Sequence, residues 1–168
     1  MYKKVVLAIL ASIFMSSAMY ALDTAKQATL LFMYQEEKVA RDVYITLGQK
    51  YPDATTFKSI QVSEQTHMDT VESLCIKYGV NISAIDESTV GVFIIADLQA
   101  LYDTLVKQGS ASLLDAQKVG VAIETKDITD ILAAEEGMPK DVVTKFENLR
   151  VGSYNHLDAF NKAVAALQ

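Results

Sequence analysis

The stretch "SEQTHMD", residues 63–69, sets one of the chain's two histidines three residues after a glutamate and inside an apolar pattern. Around it Phe57, Ile60, Glu64, His67, Val71, Leu74 and Tyr78 recur in alternating steps of three and four. That spacing is the inward stripe of a helix packed in a bundle. Glu64 and His67 therefore point where charge is costly: an unpaired buried charge costs several kcal/mol or is neutralised by a pKa shift. Both need partners, and the rest of the chain must supply them.

Three more stretches carry the same kind of stripe. Met33, Glu37, Ala40, Tyr44 and Leu47 form the first. Leu113, Gln117, Gly120, Glu124, Asp127, Ile131 and Ala134 form another. Val142, Phe146, Leu149, Ser153, His156, Phe160, Ala163 and Leu167 form the last. Each stripe that lacks a histidine has an acid near its middle. A solvated face would put those acids opposite the apolar residues, not among them.

Punctuation between the stripes defines the elements. A helix is expected from about Thr24 to Lys50, ending before Pro52, because the residue before a proline disfavours the helical conformation. A second runs from about Thr56 to Tyr78 and stops at Gly79, a good C-terminal cap. A loop through "NISAIDESTVGVF" (81–93) leads to a short helix from Asp97 to about Lys107, broken at "QGS". A third long helix spans about Ser112 to Glu136. Pro139 suits the first turn of the fourth, which continues nearly to Gln168. No repeat or low-complexity linker divides the chain, so residues 22–168 read as one all-α domain: a four-helix bundle with a short extra helix in the second crossover.

The N-terminus has a different layout. "MYKKVVLAILASIFMSSAMYALD" carries two lysines, an apolar run from Val5 to Met15, and small residues at Ser16, Ser17, Ala18 and Ala21. This is the pattern of a secretory signal peptide over residues 1–21, with cleavage fitting after Ala18 or Ala21. The run is shorter than the roughly 20 residues of a spanning helix, so no stable membrane association is expected after cleavage. The expected location is periplasmic or extracellular. Removing Lys3 and Lys4 takes the formal charge from -6 to -8, which argues against nucleic acid as a partner. Cys75 is the only cysteine. It excludes an internal disulfide and a Cys-rich metal site within one chain, and reads as a buried thiol.

A metal site accounts for the acids and histidines together. Carboxylates and neutral imidazoles converging from several helices are each costly alone, but a divalent cation offsets their burial and favours their deprotonated forms. The di-metal carboxylate pattern of ferritin-like bundles takes one Glu from each of two helices and Glu-x-x-His from each of the other two. Here Glu37 and Glu124 are the single glutamates, Glu64 with His67 the complete pair, and His156 the histidine of the second pair. Ser153 stands where the second pair's glutamate belongs. Asp127, one turn after Glu124, is the available replacement, and the spacing leaves open whether the site holds two metals or one. Glu36 competes with Glu37 for the inward role. Glu37 is preferred because it shares a face with Tyr44, a tyrosine placed to hydrogen-bond a ligand or be oxidised. Iron suits these oxygen and imidazole donors, with manganese the alternative. Arg41 and Arg150 read as exposed salt-bridge formers, and Gly120 and Gly152 as positions of close helix approach.

The segments "QEEKVARDVY" (35–44), "SEQTHMD" (63–69), "AIETKDI" (122–128) and "GSYNHLDAF" (152–160) resemble an uncharacterised bacterial family with a ferritin-like domain, distantly similar to rubrerythrin and ferritin. The resemblance spans essentially all of the chain after the signal. It implies a ferritin-like bundle with a metal centre at Glu37, Glu64, His67, Glu124 and His156. It implies no established reaction, and the paired cysteines of a rubredoxin part are missing here. The expected function is an exported di-iron protein reacting with dioxygen or peroxide as an oxidase, ferroxidase or peroxidase. The alternative is a non-catalytic helical binding or structural module whose acids and histidines form a buried polar network. Iron storage ranks third, since the oligomeric state is not legible in one sequence.

Overall fold

The computed structural model describes residues 21–168, so the expected signal peptide lies almost wholly outside the described residues. Five helices follow in order: α1 (Thr24–Lys50), α2 (Thr55–Tyr78), α3 (Ala96–Gly109), α4 (Leu113–Ala134) and α5 (Lys140–Ala165). No strand occurs among the described residues. None of these helices is long and apolar enough to cross a membrane.

Local chemistry sets the ends. The Asp23 carboxylate accepts from the Lys26 N–H at 2.9 Å and opens α1, while the Ser112 hydroxyl accepts from the Asp115 N–H at 3.0 Å and opens α4. Such caps satisfy amide donors that the first helical turn leaves without carbonyl partners. Gly79, at φ +69°, closes α2 as expected, because only glycine enters the left-handed region without strain. α4 ends two residues earlier than its stripe suggests, in a turn through Gly137 at φ +67°. Pro139 sits immediately before α5, not within its first turn. Leu167 falls beyond the end of that helix and is exposed, so the fourth stripe ends before it.

The long helices form a ring of neighbours: α1 packs on α2, α2 on α5, α5 on α4 and α4 on α1, with α3 against α1 and α4. Inside the ring the apolar residues form two clusters. One gathers Leu30, Met33, Met68, Val71, Ile131 and Phe146. The other gathers Tyr44, Leu47, Phe57, Ile60, Ala116 and Phe160. Tyr44, Phe57 and Phe160 pack with ring centroids 5.1–6.1 Å apart, a tilted geometry that aromatic rings favour. Gly120 makes this possible, since a Cβ there would lie 2.4 Å from the Phe160 ring. Cys75 is buried, with Sγ 3.7 Å from the Leu30 carbonyl oxygen. Between the clusters lies a layer of buried polar side chains: Glu37, Glu64, His67, Glu124, Asp127, Ser153 and His156.

α1 departs from a one-sided stripe. Every residue from Met33 to Tyr44 is buried, because the 79–95 crossover and α3 cover its outer face. Polar side chains there meet loop backbone. Lys38 Nζ donates to Asp42 at 2.6 Å and to the Thr89 carbonyl at 2.9 Å, and Asp42 accepts from the Gly91 N–H at 2.9 Å. Gln35 Oε1 accepts from the Ile94 N–H at 2.9 Å. Arg41 is buried and donates to Asp42, to Gln65 Oε1 and to the Glu87 carbonyl. This corrects the expectation of an exposed Arg41: its guanidinium fastens the crossover. Arg150 is partly buried beside Glu135, 3.5 Å away.

Candidate metal centre

The polar layer brings together side chains from all four long helices. Glu64 and His67, one turn apart on α2, stand at its middle. Glu64 turns one oxygen to each histidine: Oε2 is 3.0 Å from His67 Nδ1, and Oε1 is 2.8 Å from His156 Nδ1. Glu37, from α1, places Oε2 3.3 Å from His67 Nδ1. Glu124, from α4, places Oε2 3.5 Å from His156 Nδ1. The two imidazoles stack with centroids 5.4 Å apart. Two donor triads result, Glu37 with Glu64 and His67, and Glu64 with Glu124 and His156, each compact enough to share one cation. Glu64 belongs to both, the position of a bridging carboxylate.

Several donors have no hydrogen-bond partner despite their burial: Glu37 Oε1, Glu64 Oε1, Asp127 Oδ1 and His156 Nδ1. The last is telling, because Glu64 Oε1 lies 2.8 Å from His156 Nδ1 without forming a hydrogen bond. Buried polar atoms are nearly always satisfied, and exceptions call for an explanation such as an ion. Oxygen and imidazole atoms facing one another, with lone pairs unspent, fit a divalent cation of the iron or manganese type.

Neighbouring groups fix the donors. The Ser63 hydroxyl lies 2.8 Å from His156 Nε2. If Nε2 carries the proton, Nδ1 is left as a lone pair toward the triad; such outer partners set the tautomer of metal-ligating histidines. Tyr44 donates its hydroxyl proton to Glu124 Oε1 at 2.5 Å. Ser153 donates to Asp127 Oδ2 at 2.5 Å, so the residue in place of the expected glutamate holds the carboxylate suggested as its replacement. Asp127 borders the triads and belongs to neither. Glu37 occupies the inward position, whereas Glu36 faces the α1/α4 side and pairs with Lys126.

Without a cation, protons take up the charge imbalance. Burial pushes Glu37 and Glu124 up to about 7, and burial with the neighbouring Glu37 and Glu64 pushes Asp127 well above the usual carboxylate range. Burial also opposes ionisation of Glu64, but the two imidazoles outweigh it and hold the group at about 2. Burial works against charged imidazoles too, yet the carboxylates raise His67 to about 11 and His156 to about 9. Burial and the Glu124 charge keep the Tyr44 phenol protonated, well above its usual range.

The five ligand candidates and Tyr44 converge as their stripes suggest. Ser63 and the role of Gly152 were not legible. Ser63 carries no helical-spacing signal, being one residue off the stripe, and a glycine announces close approach without saying to what.

Comparison with known proteins adds lineage without adding activity. The chain is 43% identical over 135 residues to the uncharacterized protein MJ0754 of Methanocaldococcus jannaschii, covering 78% of this chain and 70% of the relative. A crystal structure of the hypothetical protein MJ0754 from Methanococcus jannaschii superposes with a TM-score of 0.83 at 38% identity, covering 87% of this chain and 83% of that one. Residues 26–167 match the uncharacterized protein domain DUF2202, and the chain belongs to that family.

Proposed function

We propose that this chain is an exported, ferritin-like four-helix-bundle protein whose polar layer is a di-iron site, with manganese the alternative metal, serving a reaction with dioxygen or peroxide. The observation that carries the reading is the position of Glu64, whose two oxygens each face a different histidine Nδ1 at 2.8 and 3.0 Å with a further carboxylate beside each. Glu37 and His67 would hold one ion, Glu124 and His156 the other, with Glu64 between them. Bound ferrous ions would supply electrons to dioxygen or peroxide.

The protein's own groups prepare that chemistry in three ways. The apolar clusters on either side of the layer exclude bulk water, which strengthens every electrostatic interaction inside it. Tyr44 orients Glu124 through its hydroxyl and sits close enough to that carboxylate to exchange a proton with it. Ser63 and Ser153 hold His156 and Asp127 in single orientations. Their loss would loosen the donors without removing any.

Anaerobic loading with Fe(II), removal of loose metal and elemental analysis test the reading. About two irons per chain support it. One or none overturns the dinuclear site and favours the competing view, in which the layer is a self-satisfied ionic network within a binding module.

A further inference from the structure

A second cavity lies beside the candidate centre, between α1, α3 and α4, with a volume of about 150 Å³. Val39, Ala40, Leu105 and Ile123 form its buried walls, and Leu101 and the exposed Ala122 its mouth. The walls are apolar, but the polar groups that reach it are unusual. Glu36 and Asp127 both line the cavity, both are 5% exposed, and each has one oxygen, Oε2 and Oδ1 respectively, with no hydrogen-bond partner. The other oxygen of each is engaged, Glu36 Oε1 by Lys126 and Asp127 Oδ2 by Ser153. Two buried acceptors thus remain open in a space that is otherwise hydrocarbon.

Size and chemistry together select the occupant. An apolar cavity of about 150 Å³ accommodates benzene, whereas a single water takes about 30 Å³ and needs two to four polar partners. Water alone would leave the walls unfilled. The open oxygens require a donor. A second cation there would face the Lys126 ammonium that already pairs with Glu36, and an anion would face two carboxyl groups. A neutral molecule with one hydroxyl and a compact apolar body meets every condition, and ligand sites generally combine apolar walls with a few such polar groups.

We infer that this cavity is a binding site for a small neutral alcohol of phenol size, its hydroxyl donating to the open oxygen of Asp127 or Glu36 and its apolar body packed on Val39, Ala40, Leu105 and Ile123. The site does not depend on metal in the neighbouring centre. Its position gives a bound hydroxyl a route to that centre through Asp127, whose other oxygen is held by Ser153 of α5.

Metal-free protein, isotopically labelled, is titrated with phenol and with fluorobenzene, which has the same shape and no donor, and followed by NMR. The expected result is saturable shifts confined to the cavity residues, with phenol about tenfold tighter than fluorobenzene, as for a hydrogen bond to an ionisable acceptor. Ala122→Trp, at the exposed mouth, should weaken phenol by tenfold or more. Absence of saturation, or shifts clustered elsewhere, overturns the site. Equal affinity for the two probes overturns the hydroxyl ligand. Should Ala122→Trp fail to fold, the shift map of the unaltered protein decides the location, and repeating the titration with metal bound separates this site from the metal reading.

Discussion

Gly152 of α5 stands against the imidazole of His67 on α2, so close that a Cβ at residue 152 would lie 2.5 Å from Nε2. The expected close approach of helices is therefore specific: the missing side chain is the space His67 occupies. The imidazole has no easy escape, since its Nδ1 is held between Glu37 and Glu64.

Gly152→Ala should displace that ring and weaken metal at the Glu37/Glu64/His67 triad by about tenfold or more, the usual cost of disturbing a ligand's support. Alanine also favours the helix by about 1 kcal/mol, so loss of folding is not the expected outcome. Metal titration alongside circular dichroism checks this. Unaltered affinity would show that His67 is not a ligand.

Tyr44→Phe removes the hydroxyl that donates to Glu124 Oε1 while keeping the ring between Phe57 and Phe160. Loss of a hydrogen bond to a buried carboxyl group predicts about 1–3 kcal/mol of destabilisation in the metal-free protein. Chemical denaturation measures it. The metal count should stay at the value of the unaltered protein.

The polar layer predicts opposite pH responses with and without metal. In the metal-free fold His67 and His156 titrate at about 11 and 9, above the ordinary value near 6.5. Their stabilising contribution is complete below about pH 6.5 and is lost as pH rises through 9 and beyond. Glu37 and Glu124, raised to about 7, bind more protons folded than unfolded between about pH 4.5 and 7, so stability falls across that window as well. Glu64, held at about 2, acts in reverse and loses its contribution only as pH drops from about 4.5 toward 2. A cation competes with those protons. The rise in Tm on adding metal should therefore grow from pH 5 to pH 8, as read by calorimetry with and without chelator. A constant or shrinking increment would contradict the assignment.

Lys38→Met leaves Asp42 buried with one cation fewer and frees the Thr89 carbonyl. Breaking a buried ion pair from one side predicts a loss on the order of 3 kcal/mol. Limited proteolysis should then cut first within residues 79–95, the segment the lysine fastens. Cleavage elsewhere would mean the crossover is secured by other contacts.

Much of this was legible because helical spacing repeats along the chain. The step pattern around Glu64 and His67, and its counterparts around Glu37, Glu124 and His156, names residues that do meet. What it missed lies on α1. Gln35, Lys38, Arg41 and Asp42 fall on faces that periodicity assigns to solvent, and their partners are backbone atoms of a loop some fifty residues later. A stripe reports one buried side of a helix. It carries no signal for a helix wrapped on both.

The polar layer divides the interior into two apolar compartments, and this has a bearing on motion. Amides flanking each compartment should exchange with solvent slowly, whereas those beside Glu37, Glu64, Glu124 and His156 border a band with little dispersion or hydrophobic cohesion of its own. A metal-free molecule would thus breathe at its waist while both ends stay closed. An ion held there would act as a rivet, turning the most yielding level of the fold into its stiffest.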